Sequence, residues 1–235
     1  MRGHLIVKLA GPLQSWGQHS FEGLRTSARW PGRSALLGLL GACLGIDRQD
    51  REGLRALADS VAFAVRCDRG EHEPQKMTDY HTVKNARVDY QGLKSHETIQ
   101  TWREYWQDAK YTVAVWSQPK AVVTLDRLHQ ALCKPVYTPV LGRRSCPLAC
   151  PLVQSLFAKA VVTAPDALSA LAAVAPFAGM VYSEEGSGKQ RELRLRDVPL
   201  VDRPRQFAAR RVFVQQLEQP ETKPETEAGD HHVSG

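Results

Sequence analysis

Leu141 to Ala149 reads LGRRSCPLA, a stretch that concentrates groups able to hold an anion. A glycine open to conformations closed to other residues precedes Arg143 and Arg144; the Ser145 hydroxyl, the Cys146 thiol and a helix-stopping proline follow. Such a turn can present guanidinium forks and backbone N–H groups to phosphate. The same residues also make a solvated basic turn between two strands. A second basic stretch, Arg25, Arg29 and Arg33, leads to Ser34. Ser34 is expected to cap a helix whose unpaired N–H groups and dipole favour an anion.

Between Arg69 and Lys110 apolar residues thin out, and Lys84, Arg87, Lys94, His96, Trp102 and Arg103 interleave with amides and hydroxyls. A stretch like this cannot form its own core, so it must project from the domain or lie against a partner. Aromatics among arginines can stack on unpaired bases at about 1–3 kcal/mol each. Single-stranded RNA is read by that combination. The competing use for Trp16, Trp102 and Trp106 is as core anchors.

Catalysis finds less support. The eight histidines are scattered, although His81 and His96 share the polar stretch and could meet across a hairpin beside Lys84 or Lys94, an arrangement for acid–base cleavage of RNA. Neither paired carboxylates nor an H-x-x-x-H pattern occurs, and Cys146 and Cys150 lack a second ligand pair, so no metal or cofactor is expected. Five cysteines without a C-x-x-C pair read as reduced thiols. Gly186 to Lys189, GSGK, lacks the rest of a phosphate loop and reads as a hairpin turn.

The elements that must position these groups follow from composition and period. With 235 residues and 43% hydrophobic content the chain can form one large domain or two small ones. The longest apolar candidate, Ala35 to Ile46, is broken by glycines, so no membrane span is expected. The opening residues read as a strand and not as a secretory signal, which suggests a cytoplasmic protein. Formal charge is +6, but the segment after Leu217 carries five acidic residues against Lys223, a net of −4 that leaves the body at +10. A body so basic suits a polyanion partner. The tail, rich in Glu, Pro and Thr, is expected to be disordered.

Strands are expected at Leu5 to Leu9, Val61 to Cys67, Thr112 to Trp116, Ala178 to Ser183, Glu192 to Val198 and Arg210 to Leu217. Helices are expected from Ser34 to about Gly45, Asp50 to Ser60, Thr124 to Leu132 and Pro165 to Val174. Gly38, Gly41 and Gly45 share a stripe that would let a backbone approach closely. Helices laid on an antiparallel sheet in two βαβ-like passages imply an α+β, ferredoxin-like architecture.

Longer motifs sharpen this. LAGPLQSWGQHSFEG (Leu9 to Gly23), LLGLLGACLGI (Leu36 to Ile46), DYHTV (Asp79 to Val83), DYQGLKSHETIQTWREYW (Asp89 to Trp106), YTPVLGRRSCPLACPL (Tyr137 to Leu152) and PRQFAARR (Pro204 to Arg211) span most of residues 3 to 217. Together they resemble the Cas-five-type subunits of the type I-E CRISPR surveillance complex Cascade, within the RAMP group of ferredoxin-like RNA-binding proteins. The family's PTRSG reads PGRSA here, keeping Arg33 and Ser34.

The resemblance implies a ferredoxin-like palm beginning in residues 1–76, a thumb hairpin over 77–110, the rest of the palm with a smaller β-rich part over 111–217, and a tail over 218–235. It also implies a role without catalytic residues: gripping the 5′ handle of the mature crRNA. The partners would be a CasC-type backbone subunit and a CasA-type large subunit, with target DNA nearby. The RNA-binding set implied is Arg25, Arg29, Arg33, Ser34, Lys84, Arg87, Lys94, His96, Trp102, Arg103, Tyr137, Arg143, Arg144, Ser145 and Cys146. The alternative is a metal-independent endoribonuclease that processes repeat RNA, as a type I-C relative does with an adjacent Lys-His pair. No such dipeptide occurs here, and in type I-E systems a separate subunit cuts.

Overall fold

Alternation along β1 (Arg2–Ala10) sends Leu5, Val7 and Leu9 to one face of a sheet and Ile6 to the other. Both sets are buried, so β1 is a central strand with cover on two sides. The computed structural model describes residues 1–18, 23–84, 98–203 and 206–218. In it β1 pairs with β10 (Val161–Ala164) on one side and with β9 (Lys110–Ser117) on the other, and β9 pairs with β6 (Val61–Asp68). With α1 (Arg33–Leu44) and α3 (Leu125–Cys133), the chain order β1-α1-β6-β9-α3-β10 and the spatial order β10-β1-β9-β6 make the βαββαβ unit of a ferredoxin-like fold.

The helices divide between the two faces. Leu36, Leu37, Leu40 and Cys43 of α1, Leu57 of α2 (Arg51–Ser60), and Leu128 and Leu132 of α3 pack on the Leu5–Val7–Leu9 face. After the single turn α4 (Phe157–Ala160), the short α5 (Ala167–Ala172) covers the other, where Ala62, Ala64 and Ala114 leave room for its close approach. Arg66, wholly buried, binds Asp68 at 2.7 Å and donates to the Leu171 and Val174 carbonyls at 2.6 and 2.8 Å, fixing the end of α5. Asp50 and Thr124 cap α2 and α3 through N–H groups three residues on.

Three sequence expectations are corrected here. Ser34 caps nothing: the N-cap is Gly32, without a side-chain bond. The glycine stripe makes no close approach, since Gly38 faces open space and Gly41 only reaches ordinary contact with Leu57; Gly45 instead takes the left-handed conformation (φ 76°) that ends α1. GSGK is not a hairpin turn, because β11 (Gly179–Ser183) and β12 (Arg191–Pro199) do not pair; β13 (Phe207–Leu217) lies between them. These last strands extend the palm into one seven-stranded antiparallel sheet, β10-β1-β9-β6-β11-β13-β12.

Inserted between β6 and β9 is a hairpin of β7 (Gln75–Lys84) and β8 (Thr98–Gln107), paired in register from Gln75↔Gln107 to Lys84↔Thr98. The glycine-rich segment after β1 lies against it as short strands. β2 (Leu13–Gln14) runs antiparallel to β8 and β4 (Leu24–Arg25) parallel to it. β3 (Trp16–Gly17) pairs with β5 (Ser27–Ala28). Tyr105 is buried at the hairpin base, whereas Tyr80 and Trp102 farther out are 53% and 43% exposed.

Candidate nucleic-acid interface

The LGRRSCPLA turn is fixed from inside and open outside. Leu141 and Cys146 are fully buried in the α1-side core, and the Leu141 N–H donates to the Cys146 carbonyl at 2.8 Å, closing the loop. The Cys146 N–H donates to the Arg143 carbonyl at 2.9 Å, and the Ser15 N–H donates to the Leu141 carbonyl at 3.1 Å. Gly142 has φ 90°, and a Cβ there would overlap the Ser15 carbonyl oxygen, so the position requires glycine twice over. This construction leaves Arg144 and Ser145 exposed and Arg143 half-buried. Cys146 is corrected as a contact residue: its thiol faces the core, and burial pushes its pKa up.

Arg143 joins the turn to the hairpin. Its guanidinium lies 5.0 Å from the centre of the Tyr105 ring and donates to the Arg25 carbonyl at 3.2 Å. Arg25 stands beside Arg103 in the β4–β8 register, and Leu24 beside Trp102. Arg103 donates to Thr101 at 3.2 Å, and the Trp102 ring lies 5.4 Å from Tyr80. Arg25, Arg103 and Arg143 therefore come together on adjoining elements, with Arg144 on the same turn, while Trp102 and Tyr80 lie on the opposite face of the hairpin. Guanidinium groups on one face of the hairpin and half-exposed Tyr80 and Trp102 rings on the other suit a strand that presents phosphates and unstacked bases.

The start of α1 is different, and the expectation of an anion site there is corrected. The Arg33 N–H donates at 2.7 Å to the Asp197 carboxylate, which supplies the negative charge that the helix start favours. The Arg33 guanidinium donates to Glu184 at 2.6 Å and to the Ala58 and Val61 carbonyls at 2.6 and 3.1 Å, with its side chain only 11% exposed. Arg210 holds Asp197 through two bonds at 2.6 and 2.7 Å and approaches Glu184 at 3.5 Å. Arg33 is thus a structural ion. Ser34 is half-buried just behind it, and Arg29 pairs with Glu73 at 2.8 Å on the surface.

The remaining candidates are dispersed. Lys84 is exposed at the outer end of β7, and Arg87, Lys94 and His96 lie outside the described residues. Tyr137 sits at the far end of α1, where its N–H donates to the Ala42 carbonyl at 3.1 Å and its ring is 49% exposed. His81 has Asp79 at 3.9 Å. Trp16 is buried, and Trp106 donates to the Ala28 carbonyl at 2.7 Å, so both serve as anchors. No group of three or more His, Cys, Asp or Glu side chains able to hold a metal occurs among the described residues. Tyr105 and Ser15, absent from the expected set, are what orient the turn; alternation along β8 marks Tyr105, while nothing local marks Ser15.

Comparison with known proteins gives concordant results. A family model described as CRISPR-associated protein (Cas_Cas5) matches residues 4–213. The Cascade subunit CasD of the CRISPR system of Escherichia coli (strain K12) is 51% identical over 220 residues, covering 91% of this chain and 96% of that protein. A chain of a solved CRISPR RNA-guided surveillance complex superposes with a TM-score of 0.69 at 27% identity, covering 91% of this chain and 90% of the other. A crystal structure of a Cas protein gives 0.64 at 29% identity, covering 92% and 95%.

Proposed function

The chain belongs to the Cas5 family of CRISPR-associated proteins, and from that premise we propose that it is the crRNA-binding subunit of a type I-E Cascade complex, gripping the 5′ handle of the mature guide. The observation that carries this reading is the anchored turn: Leu141, Gly142 and Cys146 commit their side chains or conformations to the fold, Arg143 is held toward the hairpin and Arg144 is left exposed beside it. Beside it Arg25 and Arg103 supply charge, and Trp102, on the opposite face of β8, supplies a stacking surface. Lys84, Arg87, Lys94 and His96 continue the contact along the thumb, and Ser145 adds a hydroxyl at the turn. CasC-type and CasA-type subunits meet the same body.

The chemistry is holding, without cleavage. Acid–base cleavage requires two groups within hydrogen-bond reach of one reacting site. His81, the candidate base among the described residues, lies 3.9 Å from the Asp79 carboxylate, a neighbour that repels phosphate. Co-expression with the neighbouring subunits tests the reading: this chain is expected to co-purify with a short RNA of uniform 5′ end. Incubated alone with repeat RNA, with or without divalent metal, it is expected to release no product. Specific cleavage abolished by His81→Ala would make it a nuclease instead.

A further inference from the structure

An acidic side chain lies within the basic region built by β4, β8 and the turn. On β8, Arg103 and Tyr105 share the face that Arg143 approaches, and alternation puts Glu104, between them in sequence, on the face of Trp102 and Trp106. The Glu104 side chain is only 15% exposed, and the Lys76 ammonium of β7 lies 2.8 Å from its carboxylate and balances the charge. That pairing lets an acid stand close to a face meant for phosphate. It gives no reason for the acid to be there.

The reason lies in what the carboxylate accepts. It takes the Ser27 N–H at 3.0 Å, from a residue 77 positions earlier in the chain. Ser27 is buried, so its N–H must find a partner within the protein. The Ser27 hydroxyl accepts the Trp16 N–H at 2.9 Å across the β3–β5 pair. The main-chain carbonyl of the same Glu104 accepts the Ser15 hydroxyl at 2.9 Å, and the Ser15 N–H holds the Leu141 carbonyl at the start of the turn. Glu104 therefore ties both sides of the glycine-rich segment to β8. Arg25 comes two residues before Ser27, about 7 Å of extended chain, and its carbonyl is the acceptor for Arg143.

We propose that Glu104 is a positioning residue: by holding Ser27 it fixes the stretch from Arg25 to Ala28, so that Arg25 stands beside Arg103 and offers its carbonyl to Arg143. β4 alone is two residues long and makes few ladder bonds, whereas a hydrogen bond to a carboxylate is about twice as strong as one between neutral groups. The inference rests on the handle reading and adds to it an acid that acts through reach and not through charge.

Two conservative variants of the full chain separate reach from charge. Glu104→Gln keeps an oxygen in place and loses the charge; Glu104→Asp keeps the charge and withdraws the oxygens by one carbon–carbon bond, about 1.5 Å. Each is titrated with handle RNA, and exchange of the Ser27 and Trp16 amide hydrogens is followed in the free chain. Glu104→Asp is expected to bind about tenfold more weakly and to exchange faster at both amides. Glu104→Gln is expected to bind at least as tightly as the parent and to exchange at the parental rate. Parental binding by Glu104→Asp overturns the proposal, since charge alone would then suffice, and so does a Glu104→Gln variant as weak as Glu104→Asp. Parental exchange in Glu104→Asp overturns it as well, because the segment would not depend on the carboxylate. If Arg143→Ala with Arg144→Ala binds handle RNA like the parent, the handle reading fails and this inference with it; if that variant loses RNA while Glu104→Asp keeps it, this inference alone fails.

Discussion

Arg33 and Arg143 sit in stretches that read alike, basic residues beside small ones at a bend, yet the fold uses them in opposite ways. Arg33 is drawn inward and bound by Glu184 and two carbonyls, and the helix start beneath it is occupied by Asp197. Arg143 and Arg144 stand on a turn whose buried residues are Leu141 and Cys146, so the turn's charge is left facing outward. Whether a basic stretch is structural or available depends on where its carboxylates lie. For Arg33 they arrive from β12 and from the residue after β11, more than 150 positions later in the chain. For the turn none is bound to either arginine among the described residues.

The largest effect that could break this contrast is at Gly142. Gly142→Ala must place a Cβ on the Ser15 carbonyl at φ 90°, and it is expected to destabilise the chain by about 3 kcal/mol and to weaken handle RNA binding with it. A wild-type denaturation midpoint would mean that the turn is not anchored as described. Next comes Asp197→Ala, which strips the carboxylate from the α1 start and from Arg210. A loss of about 2 kcal/mol is expected, with RNA affinity of the folded protein unchanged. Weaker RNA binding at full stability would show that the start of α1 is part of the site after all. The smallest effect is chemical. In the folded chain a thiol reagent is expected to label exposed Cys133 and spare Cys146, which is buried and whose pKa burial raises; Gly142→Ala should open Cys146 to the reagent. Equal labelling of the two in the native protein would contradict a buried Cys146.

Much of the fold was legible because its signals are local. Alternation in β1, β6, β9, β12 and β13, and the caps Asp50 and Thr124, can be read within a few residues. The site was legible in part. Arg143 and Arg144 were marked by the glycine before them, and Trp102 by its polar surroundings. What could not be read was partnership over distance. Nothing near Arg33 points to Glu184 or Asp197, and nothing near GSGK says that β13 will come between β11 and β12. Cys146 misled for a related reason: its neighbours are polar, yet the loop closes on Leu141 and turns the thiol inward. A two-residue strand such as β4, which brings Arg25 to Arg103, is too short to carry a period.

The most direct measurement is a salt titration of handle-bearing RNA with the chain carrying Arg143→Ala and Arg144→Ala. If these arginines hold phosphate on a single strand, affinity falls and the slope of log affinity against log salt flattens by about 1.4, roughly 0.7 for each phosphate no longer neutralised. A folded variant with the affinity and slope of the parent would contradict the claim that the outward face of this turn grips the RNA.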